Sequence, residues 1–366
     1  MKFIIIILLI SLNYCASNSE NPVDDTPVSL DDYEWTELNF PQAGFKHDDI
    51  YFINPDTGWV TVNDQPRPAA SPPYSGLFKT TDGGLTWQKG ILPTKPTGGR
   101  EFFRCIGFLN GQIGFAGNLF GADGDTEYNQ LYKTSDGGLS WQIVPIDSNV
   151  VGLCGISTVS PSTVYLAGRF LGPAYLVKST DSGNNWTVIN LEMKLGRVVD
   201  VKFLDANHGF IVGGSHSSHA QTKAVIYETT DGGLNWIKRY EGPREGEWCW
   251  KIQFLNNNVV YASIETDESV TGNSEGDAFL KSTDGGKTWE RITFYSEHYS
   301  SQGIGFISEK IGWMGSFDRH SNLSTIDGGK TWQSFPYSQH LNRFRFFSDT
   351  LGYVAGARLY KIRKIK

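Results

Sequence analysis

The chain has 366 residues, a formal net charge of −7, and 39% apolar against 19% charged residues. That length accommodates one large or two ordinary domains with a real core, and the acidic balance excludes a nucleic-acid-binding surface, which needs a basic face. With 41 glycines, 22 phenylalanines and 11 tryptophans, the composition points to many short strands joined by tight turns.

Residues 1–14 read as a secretory signal peptide: Met1 and Lys2 precede the apolar run FIIIILLISL. At about ten residues this run is too short to span a bilayer. The end of the segment resembles the lipobox of bacterial lipoproteins, in which a cysteine is lipidated and becomes the new N-terminus. Leu12 stands where that box wants leucine, and Tyr14 departs from the small residue usual before the cysteine. The resemblance implies lipidation of Cys15 and an outer-membrane or periplasmic lipoprotein. An ordinary signal cleaved nearby instead implies a secreted protein, so any membrane contact is through a lipid anchor. Residues 15–32, polar and proline-containing, read as a flexible tether. Cys105, Cys154 and Cys249 follow no metal-ligand spacing and are expected as buried thiols.

From residue 33 onward two repeats interleave. Hairpin-like stretches begin at Ile50, Ile106, Ile156, Val201, Ile252, Ile304 and Phe344, each with alternating apolar residues, a polar turn and a second apolar run. Six are followed by a turn such as KTTDGGLTW, with aspartates Asp82, Asp136, Asp181, Asp231, Asp284 and Asp327 spaced 43 to 54 residues apart. Each unit therefore supplies four strands: the hairpin, the stretch before the Asp turn, and the tryptophan with its followers. Four-stranded units of this period make β-propeller blades. The seventh unit ends at RLYKIRKIK with three strands, while Tyr33–Leu38 reads as a fourth strand lacking its own hairpin. The expected fold is all-β: one seven-bladed propeller over 33–366, of four-stranded antiparallel blades, with the N-terminal strand completing the last blade and leaving no open edge.

The Asp turns have a structural explanation. Glycine supplies the positive φ of a tight turn. Aspartate and the Ser/Thr two residues earlier can satisfy turn amides, and the tryptophan packs against the sheet. Six copies around a ring face six directions, so they cannot converge on one substrate. S/T-x-D-x-G-x-x-W resembles the Asp-box, or BNR, repeat. Among proteins carrying it, the photosystem II stability/assembly factor family and its non-photosynthetic bacterial relatives match best, over residues 33–366. The resemblance implies a secreted propeller that holds a partner protein during complex building.

Consecutive loops of a blade alternate between the two faces of the ring. Hairpin turns and Asp turns, short and alike, share one face. The other face carries the variable second-to-third loops, including Asn63–Ser75, and the blade-to-blade loops. Variable loops on a rigid scaffold are where binding is expected. The candidates at that channel mouth are Lys46, His47 and Asp48; Arg100, Glu101 and Arg104; Arg197 and Asp200; Glu247, Trp248 and Trp250; His298 and Tyr299; His340 and Arg343. They read either as rim ion pairs or as a mixed-charge, aromatic pocket for a peptide or glycan. Asp123, Asp125 and Glu127 lack the spacing and glycine of a calcium loop, and His216 and His219 have no third ligand nearby, so no metal is expected.

Two function classes follow. The first is a non-enzymatic cell-envelope binding or assembly protein, expected as a monomer and needing no cofactor. The alternative is a secreted glycoside hydrolase, sialidase-like or xyloglucanase-like. Against it, the Arg-Ile-Pro stretch of sialidases is missing, sialidase rings have six blades, and the length suffices for only one propeller. Glycoside hydrolysis needs two carboxylates about 5–10 Å apart across a cleft. Asp48, Glu101, Asp200 and Glu247 are the only candidates near the mouth. No GxGxxG, haem or flavin motif is present.

Overall fold

The structure, a computed structural model, describes residues 29–41, 46–63, 75–94, 101–119, 131–147, 150, 152–168, 172–271, 277–294, 301–316, 322–337 and 340–366. Cys15, the signal segment and most of the expected tether lie outside these residues. The last residues before the ring form a short 3₁₀ turn, Leu30–Asp32, capped by Ser29, and Leu30 packs against the aromatic cluster of the closing blade.

Seven four-stranded sheets make up the ring. Their inner strands are Ile50–Phe52, Phe103–Phe108, Gly155–Thr158, Arg197–Phe203, Glu247–Phe254, Ser301–Phe306 and Arg343–Ser348, defining blades 1 to 7. Every adjacent pair within a blade is antiparallel, as short hairpin connections require. The last blade is completed by Tyr33–Glu37, which pairs with Leu359–Lys364 in the register Tyr33↔Lys364 to Glu37↔Tyr360. Leu38 continues the contact by donating its amide to Leu359 O at 2.9 Å. The expected closure by the N-terminal strand is therefore observed. Trp35 secures it within an aromatic cluster, 5.3 Å from Trp313 and 4.8 Å from Phe335 between ring centroids.

Each Asp turn is a closed hydrogen-bond unit. In blade 1 the Thr80 hydroxyl donates to Asp82 Oδ1 at 2.8 Å and accepts from the Gly84 amide at 2.9 Å. Asp82 also accepts from the Thr86 amide at 2.9 Å and the Thr86 hydroxyl at 2.5 Å. Thr86 donors, side chain before backbone, hold the Asp82 carboxyl down at about 2. The residue before every Asp-box tryptophan plays the Thr86 part: Ser140, Asn185, Asn235, Thr288 and Thr331. Gly83 and Gly84 have φ of 71° and 94°, the left-handed region that glycine enters freely. Gly83 then donates its amide to Asp56 O in the hairpin turn at 2.8 Å. Equivalent bonds join Gly137 to Gln112, Ser182 to Ser162, Gly232 to Asn207, Gly285 to Asn258 and Gly328 to Lys310. The two sets of short turns thus share one face because they are bonded to each other.

Blade-to-blade packing is aromatic and aliphatic. Trp59 of blade 1 stacks on Phe108 of blade 2 at 3.5 Å, and its indole N–H donates to Gly137 O in the next Asp turn at 2.9 Å. Tyr165 stacks on Phe203, and Tyr261 on Phe306, in the same relation. Cys105, Cys154 and Cys249 are buried, and burial drives the Cys105 and Cys249 thiols far above the ordinary range.

Candidate functional site

Several inner strands are not regular. Register breaks fall between Phe103 and Cys105, Val198 and Asp200, Cys249 and Ile252, and Ser301 and Gly303. A bulge leaves an extra residue off the ladder and re-aims its side chain. The residues so released are Arg104, Val199, Trp250, Lys251 and Gln302, and Val199 packs with Trp248 and Trp250 in a small cluster of its own. Alternation counts hide such bulges, because one extra residue changes neither composition nor apparent strand length.

These residues meet partners from across the ring. Arg343 of blade 7 donates to both Asp200 oxygens of blade 4, at 2.8 and 3.0 Å. Its Nε lies 3.2 Å from Asp49 of blade 1. Arg104 of blade 2 donates to Asp48 Oδ1 at 3.1 Å and lies 5.1 Å over the Trp250 ring of blade 5. The Trp250 indole donates to Asn342 Oδ1 at 2.9 Å, and Asn342 donates to Asp48 O at 2.9 Å. Lys46 Nζ is 3.2 Å from Asp48. A polar plug therefore crosses the axis at this level and ties blades 1, 2, 4, 5 and 7 together. Burial alone would raise the Asp48 and Asp200 carboxyls. Arg104 and Lys46 at the first, and Arg343 and Lys251 at the second, outweigh it and hold both below the ordinary range.

Other candidates lie at the edge of the plug or apart from it. Arg197 donates to His216 O at 3.0 Å and to Ser217 O, and sits 4.9 Å over the Trp248 ring. Burial lowers its guanidinium to about 10. Trp248 donates to the buried Glu265, 2.9 Å away, and faces His219 with ring centroids 4.8 Å apart. His219 in turn lies 3.2 Å from Asp267. Glu247 turns to the outer strand of its own blade, where Arg291 grips it with bonds of 2.9 and 2.7 Å. Glu101 accepts from Tyr132 at 2.5 Å and Asn118 at 2.7 Å, both within blade 2. His47 is buried against Gly356 O, which its Nδ1 meets at 2.9 Å, and burial lowers its pKa to about 4. His340 has a left-handed φ of 57° beside the start of blade 7. Arg100, His298 and Tyr299 lie outside the described residues.

A cavity of about 240 Å³ is lined by Tyr51, Lys202, Lys251, Gln253, Arg343 and Arg345, with aromatic neighbours. Tyr51, Lys202, Gln253 and Arg345 occupy the parts of the inner strands that run toward the hairpin turns, while Arg343 and Lys251 border the plug, so the cavity lies on the Asp-turn side of the plug. Of these six residues, Arg343 alone is among the channel-mouth candidates named from the sequence. Aligning the repeats places Tyr51, Gly107, Ser157, Lys202, Gln253, Gly305 and Arg345 at one position. Glycine or serine fills three of the seven, so the charged copies stand out as departures.

Residues 196–301 match the family described as Photosynthesis system II assembly factor YCF48. A relative, the Photosystem II assembly lipoprotein Ycf48 of Synechococcus sp. (strain CC9902), is 31% identical over 113 residues. Over residues 196–301 the chain is similar to the photosystem II assembly factor family, and the whole described ring is a seven-bladed β-propeller. The sequence match to that lipoprotein spans 31% of this chain and only 28% of the relative's length. Among solved structures, one of YCF48 bound to D1 peptide superposes with a TM-score of 0.63 at 17% identity, covering 93% of this chain and 98% of that one. A catalytically inactive virginiamycin B lyase from Staphylococcus aureus, with quinupristin, gives 0.64 at 12% identity over 91% and 100% of the two chains. At such identities the superpositions speak to the fold alone, and the same ring serves binding proteins and an enzyme.

Proposed function

We propose that this propeller is a non-enzymatic binding and assembly protein of the cell envelope, exported, anchored through Cys15, and holding a protein partner on its loop-rich face. One observation carries the first part. The four carboxylates that could have served two-carboxylate hydrolysis are each occupied by donors: Asp48 by Arg104 and Asn63, Asp200 by Arg343, Glu247 by Arg291, and Glu101 by Tyr132 and Asn118. Asp48, Asp200 and Glu247 are at most 1% exposed. A general acid needs a raised pKa and access to substrate, whereas Asp48 and Asp200 are held low.

The choice of a protein partner rests on the relatives: one is an assembly lipoprotein, and another was solved with a peptide bound. The physical setting agrees. A ring closed by a β-strand and cross-tied through its axis offers a rigid platform, and rigidity lowers the entropic cost of binding. The test is crosslinking and affinity capture of the full-length tagged protein from membranes of its own host, beside Cys15→Ala. One reproducible protein partner is expected, with weaker membrane retention for Cys15→Ala. Recovery of no partner in replicate captures overturns the assembly reading, and equal retention removes the anchor.

A further inference from the structure

The cavity on the Asp-turn side of the plug has a charge balance that the chain leaves incomplete. Four cations border it: Lys202, Lys251, Arg343 and Arg345. The buried carboxylates beside it are Asp49 and Asp200. Arg343 takes Asp200 through two bonds, and Arg345 donates to both oxygens of Asp49 at 3.1 Å. The two arginines thus consume the two acids. Lys251 is 3% exposed and lines the cavity, yet among the described residues its ammonium makes no hydrogen bond or ion pair. Its nearest defined contact is the Trp250 ring, 5.7 Å away. The Lys202 ammonium, on a partly exposed side chain, likewise has no hydrogen bond or ion pair among the described residues. Buried cations without hydrogen-bonding partners are costly, and a bound counter-charge removes the cost.

We propose that this cavity binds a small oxyanion, a carboxylate or phosphate group, with Lys251 and Lys202 as its direct donors and Arg343 and Arg345 supplying the surrounding positive field. The volume of about 240 Å³ equals roughly eight waters, enough for such a group on a small molecule. The wall offers the Tyr51 ring for an apolar part. Arg345 lies 5.8 Å from that ring and so fixes it in place. The site lies on the opposite side of the plug from the proposed partner face, so it stands or falls independently of that proposal.

The charged groups that act on Lys251 are Arg104 from blade 2, Asp48 and Asp49 at the entry to blade 1, Asp200 from blade 4 and Arg343 from blade 7, and Lys202 and Arg345 line the same cavity. Burial, and then Arg343, lower the Lys251 amine to about 7, so at pH 8 much of it is neutral. An oxyanion favours the ammonium, and binding at that pH therefore takes up a proton.

The experiment is titration calorimetry of the full-length protein with inorganic phosphate and, separately, acetate, at pH 8 in buffers of different ionisation enthalpy. Chloride at matched ionic strength is the control. Saturable binding of phosphate assigns a phosphate ligand, and saturable binding of acetate alone assigns a carboxylate. Either is expected to show proton uptake, and Lys251→Met, with unchanged circular dichroism, is expected to bind at least about tenfold more weakly. Lys202→Met is expected to weaken binding while retaining proton uptake. Absence of saturable binding for both probes overturns the proposal, as does unchanged affinity in Lys251→Met. Should Lys251→Met not fold, binding by the wild type without proton uptake overturns it.

Discussion

Arg343 and Asp200, 143 residues apart in sequence, meet across the axis of the ring in a two-bond ion pair buried from solvent. Blade 7 is thereby tied to blade 4, and among the described residues buried polar side chains meet across the centre of the ring. Removing one member leaves the other charge buried without this partner. Asp200→Ala is expected to lose about 3–5 kcal/mol of stability, read from chemical denaturation. The double variant Asp200→Ala with Arg343→Met should recover much of that loss. A cost of the double variant equal to the sum of the two single-variant costs would mean that the pair is not coupled.

Acid should unfold the protein through the same groups. Asp48 and Asp200 have folded pKa values held below the ordinary carboxylate value, and the Asp-turn carboxyl of Asp82 is held at about 2. A depressed acid contributes stability that is complete above the unfolded pKa and disappears as pH falls through the folded one. His47 adds a term of the same sign: its folded pKa of about 4 lies below the unfolded 6.5, so stability declines as pH drops from 6.5 to 4. Denaturation midpoints measured from pH 7 to 2 should fall in two stages, and His47→Phe should flatten the first. An unchanged first stage would remove His47 from this account.

Lys251 acts in the opposite pH range. It is a base with a depressed folded pKa, so its burial penalty is complete below about 7 and is relieved as pH rises toward the unfolded value near 10.4. In phosphate-free buffer Lys251→Met should therefore be more stable than wild type at pH 6, by about 2 kcal/mol. The advantage should shrink by pH 10. A constant difference across that range would show that burial does not depress the Lys251 pKa in the folded protein.

The turn aspartates are scaffolding. Asp136 accepts from Thr134, from the Ser140 amide and from the Ser140 hydroxyl. Asp136→Ala should cost about 1 kcal/mol, the scale of a lost cap or turn hydrogen bond, while partner capture survives. A variant as stable as wild type that no longer captures its partner would place this turn in the binding surface instead.

Closure depends on Trp35. Its ring packs on Trp313, Phe335, Phe344 and Tyr360, so Trp35→Ala should cost about 3–5 kcal/mol. It should also expose the Leu359–Lys364 edge to pairing with other chains. Size-exclusion chromatography should then show higher oligomers, and a stable monomer would mean that closure tolerates the loss.

The architecture was legible because it is written in local terms. Each blade repeats the same alternation, polar turn, paired glycines and tryptophan, and each instruction acts within a few residues of itself. Even the closing strand could be read, since Tyr33–Leu38 has the pattern of an outer strand while the final unit has only three. The donor closing each Asp turn, from Thr86 to Thr331, was visible in sequence but unremarkable until the hydrogen bonds showed its use.

The centre of the ring was less legible. Asp48, Arg104, Asp200, Trp250 and Arg343 stand out in the sequence as charged or aromatic residues at inner-strand entries. Their sequence positions could not show that they bond to one another, nor that Glu101 and Glu247 turn away into their own blades. Lys251 and Arg345 were passed over, one carried on a bulge and the other in the middle of a regular hairpin motif. The repeat thus determined by itself how many blades form, how each turn is built and how the ring closes, because those outcomes follow from hydrogen bonds and packing between near neighbours in sequence. Only the tertiary structure decided which charges neutralise one another across the axis and which ammoniums remain without a hydrogen bond beside the cavity, because those pairings exist only after seven blades have closed.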